Sequence, residues 1–445
     1  RDSVGNRERV ILGEQFETRF ERDTLGFMTR ALLPGGAAIE QGWDERALLH
    51  ERRVVSAESA RGADILRDPR PMGDDVDGAV VRKRFDYGPD DELRRYEDRT
   101  RGELTFLYDV RGRLLARKGE QLPDEAFGYD ATSNLYERDA GGLRGREYDT
   151  GNRLRKRDGV EYRWDDFGRL CEKRVPRNDG QVSIWRYTWD GRGLLAAVDG
   201  PETRVEMTYD AWFRRVAKSV LRRSGTGDLK LESTTRFLWD DCKMVHEERL
   251  AFAEDGSVRK RERVFCYDDA AFRPWAQRDY DGVGLRLRAG RWHYLVGDAI
   301  ETPEELITDD GQVVAQLTHA SYGSTTFSPE SIVETPVRFE GQYEDAETGL
   351  HYNFNRYYDP EMGCFISPDP LGLLAGDNLY RYAENPINWV DPAGLQHTCS
   401  TSLRLSPSNE TFVPTTDSGR SGPNGRPVPG VISGFRTDGV ERHRN

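Results

Sequence analysis

The sequence predicts a mainly β protein built from antiparallel hairpins, each stacked on the one before. Three observations carry that prediction. An aromatic-Asp turn motif returns along the chain, charged and apolar residues alternate between its copies, and helical periodicity is nearly absent.

The repeats come first. Copies begin at Tyr108-Asp109, Tyr129-Asp130, Tyr148-Asp149, Trp164-Asp165, Trp189-Asp190 and Tyr209-Asp210, with starts 21, 19, 16, 25 and 20 residues apart. Weaker copies read as Trp43-Asp44, Phe85-Asp86 and Trp239-Asp240. In each unit the aromatic closes a strand and the Asp accepts backbone N–H groups in the turn. Gly or Asn, as at Gly112, Asn152, Gly168 and Gly193, supplies positive φ. A stretch such as Arg113-Leu114-Leu115-Ala116-Arg117-Lys118 then leaves on the next strand with alternating character.

Composition narrows the function. The 445 residues hold 78 acidic against 65 basic side chains, a formal net charge of −13. Such a chain lacks the basic excess expected of a nucleic-acid or anionic-membrane binder. Charged residues reach 32%, above the roughly 25% usual in globular domains, so much surface must be wet. No run approaches the ~18 apolar residues of a membrane span. Cys171, Cys242, Cys266, Cys364 and Cys399 are scattered, with no CxxC, and read as reduced thiols rather than zinc ligands or a disulfide framework. The chain begins Arg1-Asp2-Ser3 without a Met and is expected to be a piece of a longer one.

Residues 396–445 change character: 24 of these 50 are Gly, Pro, Ser or Thr, and six Arg outnumber four acids. So few apolar side chains scarcely fold alone. The stretches Gly434-Phe435-Arg436 and Glu441-Arg442-His443-Arg444 read as solvated loop, with nuclease-like site residues the lesser alternative.

Other constellations are missing. The seven His form no HExxH, and GxSxG, P-loop and GxGxxG motifs do not occur. His351 reads as a packed imidazole, and Tyr380, Tyr382 and Trp389 as aromatic packing. Two Asp-Pro-x-Gly steps, Asp369-Pro370-Leu371-Gly372 and Asp391-Pro392-Ala393-Gly394, lie 22 residues apart. By themselves they read as two tight turns.

Repeats of the form Tyr-Asp-x-x-Gly-Arg-Leu resemble the YD repeats of the Rhs family of polymorphic toxins, which is related to the C components of insecticidal toxin complexes and, distantly, to teneurins. The segment from Tyr294 to Leu395 resembles that family's carboxy-terminal core. It contains Arg338-Phe339-Glu340-Gly341-Gln342-Tyr343, Glu347-Thr348-Gly349-Leu350-His351-Tyr352, Arg356-Tyr357-Tyr358-Asp359-Pro360 and Phe365-Ile366-Ser367-Pro368-Asp369-Pro370-Leu371-Gly372. Asn378-Leu379-Tyr380-Arg381-Tyr382 and Asp391-Pro392-Ala393-Gly394-Leu395 complete it. Glu340 and Cys364 depart from the family's usual Gln and Arg.

The resemblance implies antiparallel hairpin repeats wound into a large hollow shell (a cocoon) whose irregular C-terminal segment is an enclosed toxin. It divides the chain into a YD-repeat shell (1–290), a core with an aspartyl-protease-like self-cleaving activity (291–395) and the start of the toxin (396–445). It also implies that Asp369 and Asp391, with Arg356, cut the chain between Leu395 and Gln396. Paired carboxyls suit that chemistry because both cannot ionise cheaply, so one keeps a proton. Arg356 is expected to hold a carboxylate in bidentate geometry and lower its pKa. Gly394 is expected to keep the backbone unhindered and flexible.

No cofactor or metal is implied. The implied partners are the chain's own toxin segment, a secretion spike (VgrG/PAAR), a chaperone and an immunity protein. The protein would wait in the bacterial cytoplasm and be exported into a target cell, as a type VI secretion effector. Competing readings are the C component of an insecticidal toxin complex and a non-enzymatic YD-repeat adhesion module.

Overall fold

The computed structural model describes residues 6–12, 16–62, 79–268, 271–283, 286–395, 398–399, 413–414 and 435–436. Strands dominate them. A 12-stranded sheet runs from Arg9–Leu12 to Gly142–Arg144, and a 16-stranded sheet from Arg146–Asp149 to Thr325–Phe327. Within both, each strand pairs antiparallel with its neighbours in sequence, so the topology is a long uninterrupted meander. Among the described residues, helix is confined to Ala57–Gly62 and a 3-10 turn at Gly372–Ala375. None of it is long and apolar enough to cross a membrane. The second sheet passes through residue 290 inside the strand Arg286–Gly297 and ends only at Phe327.

The turn motif works through two sets of hydrogen bonds. In most copies the Asp caps its own turn: Asp165 Oδ1 accepts from Phe167 N (3.0 Å) and Arg169 N (2.8 Å), and Asp210 Oδ1 from Trp212 N and Arg214 N. Each aromatic reaches back to the previous unit. Tyr129 Oη donates to Leu114 O, Tyr148 Oη to Leu135 O, Trp189 Nε1 to Leu170 O and Tyr209 Oη to Leu195 O, at 2.6–2.8 Å. Those leucines end the preceding turn motifs and are buried. The repeat is therefore a lock as well as a turn, which explains why Tyr and Trp interchange and Phe does not suffice. Phe85-Asp86 is not such a copy. The turn sits two residues later, where Gly88 N donates to Glu92 O, and Phe85 is buried against Tyr96 instead.

One face of the second sheet is dry. Leu154, Leu170, Leu195, Val205, Met207 and Phe237 pack with Leu350, Tyr352, Tyr357, Met362 and Ile366 of the segment that follows the sheets. That segment carries a four-stranded sheet from Tyr343–Asp345 to Cys364–Phe365. A caged ion network fastens it. Arg215 pairs with Asp345, Lys218 reaches Asp345 (2.9 Å) and Glu347 (2.8 Å), and the Arg215 guanidinium lies over Phe237 and Tyr352. The two large sheets also meet. Leu33, Ala37, Val54 and Val81 pack with Ala276, Trp292, Tyr294 and Ile307, and Ala37 N donates to Asp309 O.

Candidate active site

A strand–turn–strand places the first member. Leu350–Asn353 and Arg356–Asp359 pair antiparallel through a tight turn in which Phe354 has φ 45°. The turn leaves Arg356 pointing into the interior, with its guanidinium 3.5 Å from the centre of the Phe365 ring. Burying a guanidinium is costly unless it is paired, and Arg356 is paired on every side. Nη2 lies 2.8 Å from Asp369 Oδ2 and 3.0 Å from Asp391 Oδ2. The same nitrogen donates to Leu395 O at 2.9 Å, Nε to Gly394 O at 2.6 Å and Nη1 to Leu379 O at 3.1 Å.

Both Asp-Pro-x-Gly steps are turns and also site members. Asp369 Oδ1 accepts from Leu371 N (2.8 Å), and Asp391 Oδ1 accepts from Leu395 N (2.9 Å), leaving each Oδ2 free to face Arg356. The structure thus brings together Arg356, Asp369, Asp391 and Leu395; Gln396 lies outside the described residues. Arg356 is not bidentate to either carboxylate: one nitrogen is shared by two carboxylates and a backbone carbonyl. Nor does it lower their pKa values overall. Burial outweighs its pull, pushing Asp369 up to about 6 and raising Asp391 as well. Burial also lowers Arg356 from its ordinary value.

Two residues that sequence reasoning passed over, Asn353 and Asn355, hold the loop, together with Tyr382. Asn353 Nδ2 donates to Asp391 O (2.8 Å), Asn355 Nδ2 to Ala393 O (2.9 Å), and Tyr382 Oη lies 3.5 Å from Asp391 N. The repeated Asn in Asn353-Phe354-Asn355 was the available signal, since Asn favours turns and side-chain-to-backbone bonds. Gly394 is held rather than flexible. Its φ is +64°, and a Cβ there would stand 2.3 Å from Asn353 O. Asp359 caps its own turn through Glu361 N and Met362 N, and His351 is a packed imidazole bonded to Gln342.

Among the described residues, one carboxylate group, Asp98, Glu304 and Glu305, has metal-like spacing. Lys83 and Arg101 already pair with all three carboxylates.

A model of the teneurin YD-shell family matches residues 92–244. "Double-stranded DNA deaminase toxin A" of Burkholderia cenocepacia is 31% identical over 409 residues, 88% of this chain and 27% of that protein. "Probable deoxyribonuclease RhsA" of Dickeya dadantii is 30% identical over 400 residues, 88% of this chain and 24% of that one. The chain belongs to the Rhs/YD-repeat family. "Toxin protein Tse5" of Pseudomonas aeruginosa is a further relative of this Rhs chain, 30% identical over 425 residues, 85% of this chain and 31% of the relative. The chain therefore spans a quarter to a third of the length of these relatives. Among solved structures, the TcdB2-TccC3-TEV crystal structure is similar at TM-score 0.45 and 17% identity, covering 85% of this chain and 21% of that one.

Proposed function

We propose that this Rhs chain is the enclosing shell of a toxin and cuts its own backbone once, between Leu395 and Gln396. The observation that carries the reading is a single nitrogen: Arg356 Nη2 is within 3.0 Å of both carboxylates and of Leu395 O. A donor at that carbonyl can hold the negative charge that develops on it during hydrolysis.

The step balances with one water. One carboxylate takes a proton from the water as its oxygen bonds to the Leu395 carbonyl carbon. The oxyanion so formed stays against Arg356. The carbon–nitrogen bond then breaks as the second carboxyl gives its proton to the departing Gln396 nitrogen. The products are a carboxylic acid at Leu395, which passes its proton to the new terminal amine of Gln396 to leave a carboxylate and an ammonium group. The two Asp act as a coupled pair, with no fixed assignment of acid and base. Because the substrate is the same chain, held in place, modest groups suffice for one turnover.

The enclosed segment would stay inside after cutting and be released in a target cell. Delivery by a type VI secretion system follows the family resemblance, with a VgrG/PAAR spike and an immunity protein as partners. The test is Asp369→Asn and Asp391→Asn in the full chain. Wild type gives two bands on a denaturing gel, the smaller starting Gln396-His397-Thr398, and the two co-elute on native size exclusion. Each variant gives one band. Cleavage at the wild-type rate in both variants would sink the reading, and a separately eluting fragment would sink retention.

A further inference from the structure

Asp130 begins a turn that departs from its neighbours. In the copies at Asp109, Asp165 and Asp210, the residue four positions on is Arg113, Arg169 or Arg214, whose Nε donates to the Asp at 2.7–2.8 Å. After Asp130 that place is taken by Asn134. Its Nδ2 donates to Asp130 Oδ2 at 2.8 Å, as the arginines do, but an amide also carries an acceptor, which a guanidinium lacks. The acceptor is used. Asn378 Nδ2 donates to Asn134 Oδ1 (3.1 Å) and to Thr132 O (3.3 Å). Asn134 Nδ2 donates in turn to Asn152 Oδ1 (3.2 Å), and Asn152 Nδ2 to Asp377 O (3.0 Å). Asn134 sits in the turn between Glu125–Tyr129 and Leu135–Asp139 of the first sheet, Asn152 in the turn between Arg146–Asp149 and Arg153–Arg157 of the second. Three amides therefore bridge the two large sheets and the segment that carries the aspartates.

The next residue joins that bridge to the candidate site. Leu379 O accepts from Arg356 Nη1 at 3.1 Å and from Asp369 N at 2.9 Å, so it ties the arginine to the backbone of the first aspartate. Beyond it, Tyr380 N donates to Asn378 Oδ1 (3.2 Å) and Tyr380 Oη to Gly168 O (2.8 Å), in another turn of the second sheet. Asn134 and Asn378 are both buried, so deleting either amide leaves its partners without water to replace it. We propose that Asn378 is a positioning residue for the cut, and that the chain of amides Asn134, Asn152 and Asn378 makes the cut wait until the two sheets have met. This rests on the self-cleavage reading above and adds its regulation. A displacement of about 1 Å at a reacting group costs on the order of a hundredfold in rate. A carbonyl held from the junction of the sheets is therefore enough to set the timing.

The experiment follows cleavage with time after cell-free synthesis of the full chain. The variants are Asn378→Ala, Asn134→Ala, Asn152→Gly and the double change Asn134→Ala with Asn378→Ala. Glycine suits position 152 because φ there is +63°. Each single variant should cut about tenfold more slowly than wild type. The double variant should lose no more than about twentyfold, well short of the roughly hundredfold of independent effects. Asp44→Ala is the control: it removes a cap on Arg46 N and Leu48 N in a turn of the first sheet and should cut within about threefold of wild type. Asn378→Ala should also move the acidic limb of the pH–rate profile upward, because Arg356 pulls the Asp369 carboxyl down and would be less firmly placed. Native size exclusion, with elution as for wild type, shows that each shell is intact; where a buried amide deletion prevents folding, Asn152→Gly decides. Wild-type rates in the single variants overturn the amide clamp while leaving self-cleavage standing. Slowing by Asp44→Ala as large as by Asn378→Ala, or an unmoved acidic limb, also overturns it, because lost stability would then be the cause. A wild-type chain that stays whole overturns both proposals together.

Discussion

At the residue scale, Asp369 shows how burial and pairing compete. Arg356 and the Leu371 N–H favour its ionised form, while burial and Asp391 oppose it, and the carboxyl settles at about 6 against an ordinary 3.8. A carboxyl that binds its proton more tightly folded than unfolded supports the fold fully below pH 3.8 and loses that support as pH rises through 6. Asp369→Asn has no proton to lose. Its stability relative to wild type should therefore rise between pH 4 and pH 7, by about 1–2 kcal/mol, less than the full shift because solvent still reaches part of the carboxyl. Thermal melts of both proteins at the two pH values measure this. A constant difference would mean that Asp369 titrates normally.

At the scale of the element, the YD turn is a small machine with separable parts. Asp165 caps two backbone N–H groups and pairs with Arg169 at 2.7 Å, whereas its neighbour Asp166 is exposed. Replacing Asp165 by Ala removes the cap and should cost about 1–2 kcal/mol in denaturant unfolding; Asp166→Ala should fall within about 0.5 kcal/mol of wild type. Equal costs for both would mean the turn stands on backbone geometry alone. The motif's turn half was readable from sequence because its bonds lie within five residues. The other half was not. That Tyr209 Oη reaches Leu195 O, 14 residues away, depends on strand lengths that no local pattern specifies.

Across the whole molecule, Arg356, Asp369 and Asp391, the residues of the proposed cut, lie on a segment with no large sheet of its own, so their geometry is borrowed from the shell. Arg215 and Asp345 are the main polar link and are fully buried. Arg215→Ala leaves Asp345 with Lys218 alone and empties an aromatic cage; it should cost about 3–5 kcal/mol. The same change should also slow self-cleavage, although Arg215 touches no atom of the site. Cleavage at the wild-type rate in a measurably destabilised Arg215→Ala protein would show that the site segment holds its shape independently.

Sequence alone was enough for the antiparallel hairpins, the Asp-capped turns and, through family resemblance, the group Arg356, Asp369, Asp391 and Leu395, because each is written in short runs of adjacent residues. It misread Phe85-Asp86, where the aromatic-Asp pair occurs without the turn. It also missed Asn353 and Asn355, whose partners lie 38 residues away. Only the tertiary structure decided that the leucine face of the second sheet is dry, that one Arg356 nitrogen is shared among two carboxylates and Leu395 O, and that burial outweighs that charge in setting the carboxyl pKa values. The reason is physical. Turn chemistry is local, but desolvation and shared hydrogen bonds depend on which distant segment covers a residue.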